Sequence, residues 1–211
     1  MKLVQNIVVS PVGCHEEVVT AVTRASVLAY LNTQESFAET WTDWLSGPFT
    51  KTVRRGTNGQ FNACRSKAAA TVDFGAATAL GFTPCLSDEV PDPLPKMQVD
   101  GLERGRFGFE NLKMPWYSTS SSLSGERLWI CVNPDLEMST GKTAAQTAHG
   151  LFGWTLKVDK NAVHGEWEIT DKRDAWDHFT KGDTVKDVVR IMDEGLTEIE
   201  PNSLTVVVGR A

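Results

Sequence analysis

Apolar positions along the chain change period several times. Residues 3–10, LVQNIVVS, form a short run of branched apolar side chains ending at Pro11-Val12-Gly13, the pattern of a buried strand leaving into a loop. From 15 to 31 the period lengthens. Val18, Val22, Ala25 and Ala29 recur at i, i+4, i+7 and i+11, one face of a helix, with Glu16 and Glu17 in its first turn, where the helix dipole favours negative charge. A second helix is predicted over 36–45, ending at Gly47-Pro48, then a strand over 49–55, a polar break over 56–59 and an Ala-rich helix over 60–70. Residues 86–126 hold Pro91, Pro93, Pro95, Pro115 and the run Ser118 to Ser122. They read as a connection with one short strand at 96–99, too long for a loop inside one compact unit. At Leu128 the opening pattern returns. LWICVNP reads as a strand, and a helix begins at Ser139/Thr140 with Ala145, Ala148, Phe152 and Leu156 on one face. A strand at 166–170, a helix at 182–193 and a last strand at 203–208 complete the prediction.

Strands alternating with helices predict an α/β fold with a mixed sheet and helices on its faces. Both halves begin strand, loop, amphipathic helix. The expected organisation is a first half at 1–85, a linker at 86–126 and a second half at 127–211, two diverged copies packed as an intramolecular pseudo-dimer or else paired as a homodimer.

Composition narrows the function. The chain has 211 residues, 41% of them hydrophobic, enough to build a core. Its net charge is −6, from 21 Lys+Arg and 27 Asp+Glu, so bulk positive charge is excluded as a way of coating nucleic acid. No apolar run approaches the roughly 18 residues of a membrane span, and the N-terminus reads as a strand rather than a secretory signal. The expected location is the cytoplasm. Cys14, Cys64, Cys85 and Cys131 stand singly, with no CxxC pairing, and are expected to be reduced thiols rather than a metal knuckle.

Chemistry concentrates in Asn133 to Gly150, NPDLEMSTGKTAAQTAHG. Ser139-Thr140-Gly141-Lys142 stands where a strand gives way to a helix, and a helix start offers unpaired N–H groups and a positive dipole end to an anion. Lys142, Gln146 and His149, at i, i+4 and i+7, place a cation, an amide and an imidazole on one face. A nucleotide P-loop is excluded, because Leu136 stands where that motif requires glycine. On these residues alone, a capped helix with an exposed lysine remains an equal reading.

From Trp44 to Val72 there is no acidic residue, while Lys51, Arg54, Arg55, Arg65 and Lys67 are basic. Such a stretch suits phosphate contacts or, equally, protection of a strand edge. Residues 164–200 are acidic and predict ordinary solvated surface. Most of the seven tryptophans are expected to pack in the core or between the halves, and His15, His164 and His178 show no ligand spacing.

The run STGKTAAQTAH resembles the signature of the type 2 peptidyl-tRNA hydrolases, the PTH2 family, approximately M-x-K-G-K-x-A-A-Q-x-x-H. A second block, Ile191 to Val206 (IMDEGLTEIEPNSLTV), is similar to the family's I-x-D-A-G-R-T-x-I-x-P-G-S-x-T-V. The resemblance spans about residues 127–209. More loosely, Trp44 to Gly47 followed by Lys51-Thr52-Val53 is similar to the family's W-L-x-G-x-x-K-V, and the whole chain resembles longer two-part relatives seen in actinobacteria. Thr140 stands where the pattern has its first lysine, Glu194 where it has a small residue, and Leu196 where it has arginine.

The resemblance implies a mixed four-stranded sheet and hydrolysis of the ester joining a peptide to the 3′ end of tRNA, without metal or organic cofactor. It implies tRNA or peptidyl-tRNA as partner and no membrane association. Matched residue by residue, it implies a site at Lys142, His149, Asp193, Thr197 and Thr205. Asp193, directly or through Thr197, would orient or deprotonate a water, Lys142 would stabilise negative charge, and His149 is the alternative base. RNA contacts are expected from Lys51, Arg54, Arg55 and Gln146. The alternative is a non-catalytic relative binding RNA or protein through the same fold.

Overall fold

Two sheets with the same strand order carry the chain. The computed structural model describes residues 2–99, 127–182, 187–193 and 199–210. In the first half, strands β1 (Leu3–Val9), β2 (Thr50–Arg55), β3 (Ala70–Phe74) and β4 (Ala77–Gly81) lie in the order β2-β1-β4-β3, and a two-residue β5 (Cys85–Leu86) adds to β1. In the second half, β6 (Leu128–Val132), β7 (Trp167–Thr170), β8 (Val188–Met192) and β9 (Leu204–Arg210) lie in the order β7-β6-β9-β8. Each half has one parallel pair, β1 with β2 and β6 with β7, and two antiparallel pairs in matching places. The expected four-stranded mixed sheet is therefore present twice, once with a fifth short strand.

A long helix crosses from the first to the second strand of each half, α1 (His15–Thr33) and α4 (Thr140–Lys157). Ala25 of α1 and Gly150 of α4 occupy the same helical position, counted from the first residue of each. They face Gly81 and Val208, which pair with Ile7 of β1 and Ile130 of β6 respectively. A Cβ on Gly81 would come within 2.2 Å of the Ala25 carbonyl, and one on Gly150 within 2.7 Å of Val208 Cγ2. Both halves solve the same close helix–strand approach with a glycine, one on the strand and one on the helix.

The halves join through these helices. The His15 Nδ1 lies 2.8 Å from the Thr140 hydroxyl, and the Thr23 hydroxyl 2.7 Å from that of Thr147, all buried. Contacts at both starts and again two turns on mean that α1 and α4 run side by side in the same direction. α1 is buried on nearly all sides, because one face meets its own sheet and the other meets α4. Phe152 of α4 inserts among Tyr30, Trp41, Trp44 and Phe49 of the first half, with ring centroids 5.0–6.1 Å apart. Trp41 and Trp44, on α2 (Ala38–Ser46), are thus packed between the halves, as the sequence suggested.

The helix expected at 182–193 is a correction, since Val188–Met192 is the strand β8, paired with β9. Its branched residues alternate, Val189 and Ile191 facing the inner core shared with α4, which a helix would not allow. The helix of this region lies earlier, as α5 (Arg173–Lys181), where Ala175, Trp176 and Phe179 cover Trp129, Cys131 and Val207. The Ala-rich helix expected over 60–70 is α3 (Asn58–Arg65), capped by Thr57, and the alanines beyond it lead into a β3–β4 hairpin the pattern did not reveal. The short strand expected at 96–99 is instead a 3₁₀ turn at Leu94–Lys96 and a single bridge between Gln98 and Arg55. Leu94 and Met97 are buried against the outer face of the first sheet. Most of the rest of the expected connection lies outside the described residues. All four cysteines are free thiols.

Candidate active site

The start of α4 is set by Ser139, whose hydroxyl accepts the Lys142 amide at 3.2 Å. Helical spacing then projects Lys142, Gln146 and His149 from one side, towards the end of β8. Asp193 follows β8 directly. Its amide donates to the Ser203 carbonyl at 2.9 Å, and its carbonyl accepts the Asn202 amide at 2.7 Å, so the backbone around it is pinned to the turn entering β9. Asn202 itself takes the left-handed conformation, φ 63°, that asparagine tolerates.

Four sequence-predicted residues meet here in one connected set. The Lys142 ammonium pairs with Asp193 Oδ2. Gln146 Nε2 donates to the same oxygen at 2.6 Å. The Thr205 hydroxyl lies 3.0 Å from both Gln146 Oε1 and the Ile191 carbonyl, with one proton to give to either. Asp193 and Thr205 are buried, and Gln146, expected among the RNA-contacting residues, is buried within this set. A buried carboxylate is tolerable because it is ion-paired and hydrogen-bonded.

The set opens into a cleft of about 560 Å³ whose second wall belongs to the first half: Phe49, Lys51 and Val53 face Lys142, Gln146, His149 and Asp193 across it. His149 packs its ring against Phe49, centroids 4.9 Å apart, and makes no hydrogen bond among the described residues. Burial, with the Lys51 and Lys142 ammonium groups added, holds His149 well below the usual imidazole range, so the ring is neutral near pH 7. Lys51 is buried over the rings of Phe152, Trp44 and Phe49, at 4.2, 4.4 and 4.8 Å, and donates to Gln5 Oε1 at 2.7 Å and the Ser26 hydroxyl at 2.9 Å. Burial pushes its ammonium well below the usual lysine range. A larger open hollow of about 760 Å³, on the other side of Gly47-Pro48, holds none of the connected set.

The basic residues expected to touch RNA are not brought to one surface. Lys51 faces the cleft. Arg54, next but two along β2, points to the opposite face of the sheet, where its guanidinium donates to Asn6 Oδ1 at 2.7 Å and the Leu94 carbonyl at 3.1 Å. Arg55 pairs through its backbone with Gln98. Thr197, with Glu194 and Leu196, lies outside the described residues. Phe49 and the Gln5/Ser26 pair under Lys51 were not singled out from the sequence; nothing in a linear pattern brings β1, α1 and β2 to a helix more than eighty residues away. His15, set aside from the sequence, is an element of the seam.

The first half lacks the same constellation. Counted from His15 and Thr140, Glu17 stands where α4 has Lys142, Ala21 where it has Gln146 and Arg24 where it has His149. A Cβ on Gly75, in the tight β3–β4 turn, would fall 2.1 Å from the Glu17 carboxylate, so in the first half this hairpin packs directly on the start of its helix. Among the described residues, no group of three or more His, Cys, Asp or Glu is arranged to hold a metal ion, and no helix is long and apolar enough to cross a membrane.

Residues 127–190 match the family model described as peptidyl-tRNA hydrolase PTH2. Neither a curated protein nor a solved structure matches the chain.

Proposed function

From a chain that is a relative of the PTH2 family through its second half, we propose that the cleft hydrolyses the ester between a peptide, or an N-blocked aminoacyl group, and the 3′ end of tRNA. The observation that supports this reading most is the meeting of Lys142, Gln146, Asp193 and Thr205 in one hydrogen-bonded set at the mouth of a cleft.

Ester hydrolysis needs a held water, an acceptor for its proton and positive potential where the carbonyl oxygen gains charge. Asp193 is the acceptor. Gln146 and the backbone ties of Asp193 fix the direction of its carboxylate, and Thr205 holds Gln146. Lys142 and the amide-rich start of α4 supply the positive potential. Lys142 neutralises Asp193 at rest; as the oxyanion forms, the ammonium shares its protons with that oxygen, which frees the carboxylate to take the proton of the attacking water, and as the tetrahedral adduct collapses the ester C–O bond breaks and Asp193 returns that proton to the departing 3′ oxygen. Neutral His149, without an internal partner, offers a donor and an acceptor to the substrate.

Of the residues expected to meet RNA, Lys51 in this reading meets the ester-bearing end of the molecule, and Arg54 supports the sheet behind it. Thr140 is buried against His15 in the seam, where a lysine would lose its hydration without a partner. The departure from the family pattern at that position therefore follows from the packing of two halves in one chain.

The test is release of peptide from N-acetylaminoacyl-tRNA by the purified chain. Release is expected, and Lys142→Ala and Asp193→Ala should each lower it by about a hundredfold or more while leaving the fold intact. No release at high enzyme concentration removes the hydrolase reading, and tRNA binding without turnover would instead identify the non-catalytic alternative.

A further inference from the structure

Among the described residues of the cleft wall, Phe49 is the one large side chain whose backbone takes the left-handed conformation, φ 55°. A bulky residue there is a genuine outlier, and such strain persists where the surroundings hold it, often at a ligand site. The surroundings here are specific. Trp44 packs on the ring from behind at 4.4 Å, Phe152 meets it edge-on at 5.3 Å, and the Lys51 ammonium lies 4.8 Å away. The ring is only half-buried and borders His149 at the inner end of the cleft. Asn202, the other non-glycine residue in this backbone region among the described residues, has the short polar side chain that tolerates it; Phe49 gains nothing of that kind.

We infer that Phe49, supplied by the first half, is a stacking platform for the terminal adenine base of the tRNA 3′ end. This rests on the hydrolase reading and assigns the two flanks of the ester within the cleft. Three features of the site favour a purine. Its inner end is made of flat rings, on which any base stacks through its π-face. The His149 nitrogens have no partner among the described residues and can meet the hydrogen-bonding edge of a base. Lys142 lines the same cleft and adds positive charge where a nucleotide's phosphate would lie. The acyl side of the ester carries any of twenty side chains, so a rigid, strained aromatic is of use to the invariant flank, the base. The exposed rim formed by Val99 and Met192 is left for the variable acyl group.

The test is binding of the trinucleotide CCA, without any acyl group, to the full chain, beside the same trinucleotide lacking its terminal base. Phe49→Leu keeps apolar volume and loses the ring; Phe49→Tyr keeps the ring. Wild type should bind CCA, Phe49→Leu should weaken it by about tenfold, Phe49→Tyr should bind like wild type, and the abasic trinucleotide should bind weakly and equally to all three. Circular dichroism and melting of each variant exclude unfolding as the cause. Equal binding of intact and abasic trinucleotides, or CCA affinity unchanged in Phe49→Leu, overturns the platform even where the chain releases peptide. Phe49-dependent binding of CCA by a chain that releases none keeps the platform and overturns the hydrolase reading alone.

Discussion

Replacing Lys142 by methionine separates what the ion pair does for stability from what it does for chemistry. The side chains of Lys142 and Asp193 are 11% and 4% exposed, so the pair is nearly withdrawn from water. Methionine preserves most of the stem and deletes the charge. Asp193 is then left as a buried carboxylate that still accepts from Gln146 but has lost its ammonium partner. Removing one partner of a buried pair costs about 3–5 kcal/mol, chiefly the penalty of the stranded charge. Because Gln146 still donates to the carboxylate, the low end applies, about 3 kcal/mol, or a Tm lowered by about 6–12 °C for a chain of this size. Adding Asp193→Asn removes the stranded charge and keeps a hydrogen-bonding group, so the double variant should regain most of the loss. On the proposed hydrolase reading neither variant should release peptide, since both lack the Lys142 ammonium. Urea unfolding followed by tryptophan fluorescence measures the four corners of the cycle. A Lys142→Met chain as stable as wild type, or a double variant no more stable than it, refutes the claim that the pair is desolvated and mutually dependent.

Two further outcomes follow from the geometry. His149 has a folded-state pKa below its unfolded value, so the unfolded chain takes up a proton near pH 6.5 that the folded chain refuses; stability is full above that pH and falls below it, by about 1.4 kcal/mol per unit, until the folded midpoint is reached. The His149 C2–H resonance should therefore stay at its neutral position between pH 8 and 6, and Lys51→Met, which removes one of the two facing ammonium groups, should raise its midpoint; a titration near 6.5 in wild type refutes the assignment. Gly150→Ala places a methyl 2.7 Å from Val208 Cγ2 and should cost about 1–3 kcal/mol, with Val208→Ala less damaging in its company than alone; melting temperatures that simply add refute the close approach.

What the sequence disclosed depended on whether a signal was local. β1, α1, β6 and α4 were legible because a single period runs through each of them and because Ser139 and Glu17 mark helix starts. Lys142, Gln146 and Asp193 were legible as candidates because two ordered motifs carry them. α5 was missed because only Ala175, Trp176 and Phe179 face inward among nine residues, and β8 was misassigned because the short stretch VVRIM, with Arg190 among four apolar residues, reads equally well in either period. Phe49, Gln5 and Ser26 were not legible at all. Their part in the cleft comes from the seam between halves, and the left-handed backbone of Phe49 has no signature in a residue type that disfavours it. Within the basic stretch, alternation along β2 sends Lys51 and Arg54 to opposite faces, so closeness in sequence did not become a shared surface.

The wall formed by β2 is tethered to the helix it faces by the same polypeptide. A cleft assembled from separate subunits empties of one wall when diluted below the dissociation constant of its dimer. Here a covalent tether sets the encounter of the walls at an effective concentration that no dilution changes. The first half, which has Glu17 where α4 has Lys142, serves the cleft through its β2 wall and needs no matching set of its own.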